Sequence, residues 1–440
     1  MVQEDSSRKV TGSHPQRVDP VQRASADQEL SEGMKAPGVR HNERLRKMVG
    51  LVGGVIAAVL LYLVLPADLG VWPKLTAATA VLMAIWWMTE AIPIPATALL
   101  PLIIFPLLVP AEESDGGVAV SDVGANYGND IIFLFMGGFL LALGMQRWNL
   151  HRRIALLVLR SMGSRTNALI AGFMIATGFL SMWVSNTATA VMMIPIGLSV
   201  LILVKKITDG ADTAEAIESS TEASEQEITE VSKTNFGTGL MLAIAYSASI
   251  GSLGTIIGTP PNALLAAHMS ENHDLELGFG RWMMVGVPLS IVLMIGAWFI
   301  LTKIAFKPEI QEIPGGADLI RNEWQKLGPL AFGERSVLIV FVVAALSWIS
   351  VPLISEYVFG MEEPVVSDAG IAMIVGLALF ILPGGANRGV RLLNWDTALG
   401  LPWGVLLLFG GGLALSSQFS DSGLSEWLGT QAEALAGVPV

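Results

Sequence analysis

Cysteine is absent from this 440-residue chain, which excludes disulfides and thiolate metal sites. Charge is scarce: Asp, Glu, Lys and Arg make up 15% of the residues against 52% hydrophobic ones, and the mean hydropathy is +0.59. Such values lie far outside the soluble norm. Catalytic constellations are lacking as well. His151, His268 and His273 fall at span ends or in loops without metal-ligand spacing, and no nucleophile–base pair is evident, so no enzyme is expected. Neither an organic cofactor nor a nucleic-acid partner is expected; the net charge is −12. A cleavable leader is not visible, since the first 47 residues are polar and the first apolar run starts near Met48.

Apolar runs dominate what is there. With about 20 residues needed to cross a bilayer, spans are expected near 48–65, 73–90, 91–110, 129–147, 235–262, 281–302, 337–353, 368–383 and 401–418. The expected fold is an all-α polytopic membrane protein. All but Lys74 and Arg281 of the 26 basic residues fall in 1–47, 147–165, 205–233, 303–335 and 386–391. The positive-inside rule places those segments, and the N-terminus, in the cytoplasm, as in a multi-pass protein of the cell membrane. Outer loops are acidic instead, with Glu112, Glu113 and Asp115, then Glu271, Asp274 and Glu276, then Glu356, Glu362 and Glu363. This alternation holds only if 168–204 enters and leaves on one side, so a re-entrant hairpin is expected there. Residues 1–47 read as a disordered cytoplasmic tail, and the acidic, Ser/Thr-rich stretch 208–232 as a solvated linker, partly helical.

Ser185-Asn186-Thr187 forms a polar gap between the apolar stretches 168–184 and 188–204. Three hydrogen-bonding side chains together at mid-bilayer point to a cavity or a ligand. At such a turn the first arm ends in carbonyls suited to a cation, and the second begins with N–H groups suited to an anion. Ser181 and Ser185, four residues apart, are expected on one helical face. A second constellation lies in 243–262, AIAYSASIGSLGTIIGTPPN, where Gly251, Gly254, Gly258 and Pro260-Pro261 break the span. A broken span offers carbonyls to a cation and hydroxyls to an anion. A plain helix cap and close packing through small residues are the rival readings of the two motifs. No lysine or arginine appears in either, so an anion would be held by neutral donors, helix ends and the charge of a bound cation.

Residues 132–144, IFLFMGGFLLALG, also match 406–418, LLLFGGGLALSSQ, at an offset of 274. Repeated halves are how secondary transporters build a site at a shared interface.

Four segments then carry a resemblance: WWMTEAIPIPATALLPL (86–102), SMWVSNTAT (181–189), IGSLGTIIGTPPN (250–262) and WGVLLLFGGGLAL (403–415). Together, and in this order, they resemble the divalent anion:sodium symporter family. The resemblance implies an inverted-repeat homodimer with scaffold and transport domains working as an elevator. It implies carriage of di- or tricarboxylates or sulfate with Na+ as coupling ion. It divides the chain into the tail (1–47), scaffold helices (48–150), the first transport half (151–280), second-repeat scaffold helices with a cytoplasmic loop (281–400) and the start of a second transport half (401–440). Sodium would meet Ser181, Ser185, Asn186 and the Gly251 carbonyl. A substrate carboxylate would meet Asn186, Thr187 and Ser252, with Thr255, Gly258 and Thr259 as further members of the loop.

The family's second Ser-Asn-Thr hairpin is not found within these 440 residues; the repeat offset places it near position 459. The expectation is therefore a piece of a longer protein. Rival functions are a sodium-independent anion exchanger of the same family, or a membrane scaffold or sensor that does not transport.

Overall fold

The computed structural model describes residues 41–113, 117–219, 224–273, 275–361, 364–385 and 387–436. Most of the expected tail, Asp115, Asp274, Glu362, Glu363, linker residues 220–223 and residues 437–440 lie outside them. Every regular element described is helical. Eight helices among the described residues are long and apolar enough to cross a bilayer: seven fall on expected spans, the eighth, Asn186–Thr208, is the second arm of the expected hairpin, and the expected spans 91–110 and 368–383 hold only shorter helices.

Helix α1 (His41–Val64) lies along α2 (Val71–Thr89) through a seam of small residues, Gly50, Gly54 and Ala58. A methyl on Gly50 would sit 2.0 Å from Thr89 Oγ1. The expected span 91–110 is broken into Ile94–Thr97 and α3 (Pro101–Leu108), because Pro101 cannot donate to the turn before it. Then come α4 (Asp130–Arg147), α5 (Leu150–Met162), α6 (Thr166–Ser181) and α7 (Asn186–Thr208). The stretch expected to be a solvated linker carries two short helices, Thr213–Ser219 and Glu225–Ser232. Its Ala216 and Val231 are buried in the core around α5, α6 and α7, so it is docked there.

Next are α8 (Asn235–Gly251), α9 (Pro260–His273), α10 (Phe279–Phe299), α11 (Gly316–Lys326), α12 (Phe332–Tyr357), α13 (Asp368–Ile381), α14 (Trp403–Asp421) and α15 (Leu424–Ala436). Two large cores divide the molecule. One gathers α4, α12, α13 and α14, the other α5 to α8 and α11. The arms α6 and α7 belong to the second core, but Trp183 and Val184 between them are buried in the first.

The repeat reaches further in the structure than in the residues. Helix ends Arg147 and Asp421, and helix starts Leu150 and Leu424, keep the offset of 274. The break in each copy contains a left-handed residue at the same place, Asn149 (φ 55°) and Gly423 (φ 75°). Asn and Gly tolerate that conformation best. The copies also pack crosswise. A methyl on Gly137 would lie 2.3 Å from the Ala372 carbonyl oxygen, and one on Gly411 would lie 2.2 Å from that of Ala98. Ala98 and Ala372 are themselves 274 apart.

Remote carboxylates hold several helix starts. Glu113 accepts from Val71 N–H (2.7 Å) and Trp72 N–H (2.6 Å). Glu309 accepts from Asn235 N–H (2.7 Å) and Phe236 N–H (3.1 Å). Each answers the unpaired N–H groups and positive end of a helix.

Candidate functional site

Helix α6 stops at Ser181, and Leu180 O accepts from both Trp183 N–H (3.1 Å) and Val184 N–H (2.9 Å) to turn the chain. Ser185 is extended (φ −56°, ψ 144°) and caps α7, its hydroxyl accepting from Ala188 N–H at 3.3 Å. A serine N-cap restarts the helix by satisfying one orphan donor. Because the chain leaves the helix between them, Ser181 and Ser185 do not share a helical face, contrary to the expectation from their spacing.

Ser181 is fully buried, and its Oγ lies 2.8 Å from Asn186 Oδ1 and 2.7 Å from Ala248 O. A hydroxyl has one proton to donate, so one of these oxygen–oxygen approaches lacks a full hydrogen bond. Three neutral oxygens gathered this way fit a small hard cation such as sodium. Asn186 is half-buried, while Ser185 and Thr187 are exposed.

The broken span closes the other side. After α8, two short 3₁₀ turns, Ser252–Gly254 and Ile256–Gly258, flank an extended Thr255. Gly251 packs on α6, where a methyl would sit 2.2 Å from Gly178 O, so no larger residue fits. Thr255 donates its hydroxyl to Met182 O, which ties the break to the hairpin turn. Ser252 is buried and returns its hydroxyl to Ser249 O at 2.8 Å. Thr259 is half-buried at the end of the second turn.

The expected residues therefore divide. Ser181 and Asn186 touch directly, Gly251 is packed against the first arm, and Thr255 is bonded to the turn. Ser185, Thr187, Ser252 and Thr259 make no side-chain bond across the site. Sequence reasoning missed the Ala248 carbonyl and Asn262. The buried Asn262 amide donates to Ser252 O (2.9 Å) and Thr255 O (2.8 Å), holding the break open. An asparagine directly after Pro260-Pro261 was the available signal. Ser290 and Trp282, which donate to Ile250 O and Leu253 O at 2.9 Å each, carried none.

Electrostatically the site is neutral: residues 166–204 and 234–270 contain no Asp, Glu, Lys or Arg. Charge collects at one end instead. There the buried Arg153–Glu334 pair and Arg152–Glu323 (2.6 Å) join α5 to α11 and α12, and Trp324 lies under Arg153, 5.2 Å from ring centre to guanidinium.

Comparison with known proteins is concordant. The family model described as the sodium:sulfate symporter transmembrane region matches residues 45–437. A sodium-dependent dicarboxylate transporter, SdcS, of Staphylococcus saprophyticus is 43% identical over 398 residues, 89% of this chain and 71% of that protein. SdcS of Staphylococcus aureus strain USA300 is 41% identical over 399 residues, again 89% of this chain and 71% of the relative.

Proposed function

The chain belongs to the divalent anion:sodium symporter family, whose members are transporters rather than enzymes, and on that premise we propose that it carries dicarboxylates across the cell membrane in symport with sodium. The relatives named for sodium-dependent dicarboxylate transport support this choice of cargo and coupling ion. The hairpin α6–α7 re-enters the membrane from the cytoplasmic side, where the N-terminus also lies. The second core, with the hairpin, forms the moving body of an elevator against the first, in each subunit of a homodimer.

One observation carries the substrate reading. Helices α2 and α8 each seat a carboxylate on the N–H groups of their first two residues, Val71 with Trp72 and Asn235 with Phe236. In α7 those two positions are Asn186 and Thr187. Its cap Ser185 is neutral and engages the later N–H groups of Ala188 and Thr189. The helix start at the hairpin thus has the geometry with which this chain binds its own carboxylates, and offers it to a substrate's. Ser181, Asn186 and Ala248 O hold the sodium alongside, with Ser185 and the Gly251 carbonyl completing its shell. Sodium supplies the positive charge that neutral donors lack, so anion affinity depends on it, which is the coupling.

The test is sodium-driven succinate uptake into proteoliposomes. Asn186→Ala removes an amide from both ligands and is expected to cut uptake by about tenfold to a hundredfold, the worth of one hydrogen bond to a charged group. Protein abundance and oligomeric state should be unchanged. Uptake at the parental rate would overturn the site.

A further inference from the structure

Threonines within these helices ordinarily return the hydroxyl to the carbonyl four residues back. Thr76 does so to Trp72 O (3.0 Å), Thr89 to Ile85 O (2.7 Å) and Thr302 to Trp298 O (2.8 Å). Thr177 on α6 and Thr189 on α7 do not. Both are fully buried, and neither Oγ1 has any hydrogen-bond partner. A buried hydroxyl left unpaired costs on the order of 1–3 kcal/mol; Thr97 and Thr166 share that state, but only Thr177 and Thr189 lie one turn from the Ser181–Asn186 contact.

Their places in the hairpin are related. Thr177 lies four residues before Ser181 on α6, hence on the same face one turn away. Thr189 lies three residues after Asn186 on α7, again one turn away on the same side. Ser181 Oγ and Asn186 Oδ1 are 2.8 Å apart. Each threonine thus lies about one turn, roughly 5.4 Å, further along its arm from that contact. No charged residue occurs between positions 166 and 204; Lys205 and Lys206 lie at the far end of α7. The negative carbonyl end of α6 and the positive start of α7 meet there, so the hydroxyl oxygens rather than the helix ends supply the attraction for a cation.

We propose that Thr177 and Thr189 supply two oxygens of a second sodium position, one helical turn deeper in the hairpin than Ser181 and Asn186. The inference rests on the reading of the hairpin as a sodium-binding element. It gives this hairpin two cations in tandem, the outer one beside the substrate carboxylate and the inner one screened from it. An inner cation would brace the two arms together before substrate arrives.

Equilibrium binding of radioactive ²²Na+ to the purified full chain, with choline keeping ionic strength constant, tests it. The expected result is about two sodium ions per chain, falling to about one in Thr177→Val/Thr189→Val. Thr177→Ser/Thr189→Ser keeps the hydroxyls and should keep both ions. Ser181→Ala should weaken the outer ion by tenfold or more. A parental count of one ion, lost in Ser181→Ala, overturns the inner position and leaves the hairpin reading standing. Two ions that both survive the valine substitutions overturn it as well. No sodium bound to the parental chain overturns the hairpin reading itself, and the inner position with it. Should the valine double variant fail to purify as a monodisperse protein, the parental count and the serine pair decide.

Discussion

The two copies of the repeat solve one packing problem with different neighbours. In the first copy Gly137 of α4 sits on Ala372 of the unbroken helix α13. In the second, Gly411 of α14 sits on Ala98, where the chain is interrupted between Thr97 and Pro101. The interruption exposes the Ala98 carbonyl, and the Tyr127 hydroxyl donates to it. Helix α13 needs no such donor, because its ladder runs on past Ala372. The crosswise contact therefore depends on a bare glycine meeting a bare carbonyl, and tolerates a proline break in one partner provided a side chain repairs the lost bond.

Glycine substitution should break the comparison most severely. Gly137→Val and Gly411→Val each force a side chain into backbone, and about 3 kcal/mol or more of stability should be lost. Gly412→Ala is the control, since its methyl would meet only Leu264 Cδ2 at 3.9 Å. It should be neutral or stabilise by up to about 1 kcal/mol, as alanine does in a helix. Thermal unfolding of the purified variants distinguishes the two outcomes, and equal losses at 411 and 412 would refute the crosswise contact.

A smaller effect separates the copies. Tyr127→Phe leaves the Ala98 carbonyl unpaired and should cost about 1–3 kcal/mol. An unchanged melting temperature would mean that water repairs the bond instead.

The smallest expected effect depends on pH. His151 Nδ1 lies 3.1 Å from Met145 O at the end of α4, and burial holds the imidazole below its ordinary 6.5. The unfolded chain takes up the proton first as pH falls, so stability is full above about 6.5 and declines below it. The position 274 residues on is Ser425, which does not titrate. His151→Gln should flatten the melting profile between pH 7.5 and 5.5, and an identical profile in both proteins would rule the histidine out.

Legibility in the sequence followed the physics of each feature. Helical spans were visible because lipid demands apolar length, and the glycines at 137 and 411 because both copies need bare backbone there. Their partner helices, 94–108 and 368–381, share almost no residues. A carbonyl contact asks nothing of the side chain, so the pairing of Ala98 with Ala372 could not be read. At the site, Asn186 was evident as an amide stranded in apolar sequence. The loss of a shared face between Ser181 and Ser185 was not, since an N-cap serine and a mid-helix serine are the same letter. The Ala248 carbonyl was invisible for a simpler reason: backbone ligands leave no trace in residue type.

The charge-free composition of 166–204 and 234–270 has an electrical consequence. If these segments are the only part of the proposed transport body that crosses the membrane field, the charged residues of α5 and α11 staying at its cytoplasmic end, no fixed charge is displaced. Voltage then acts on the cargo alone, at about 2.3 kcal/mol per net elementary charge per 100 mV. A dicarboxylate crossing with two sodium ions would be indifferent to membrane potential. One crossing with three would be drawn inward by a negative interior, and the slope of uptake rate against potential would count the ions.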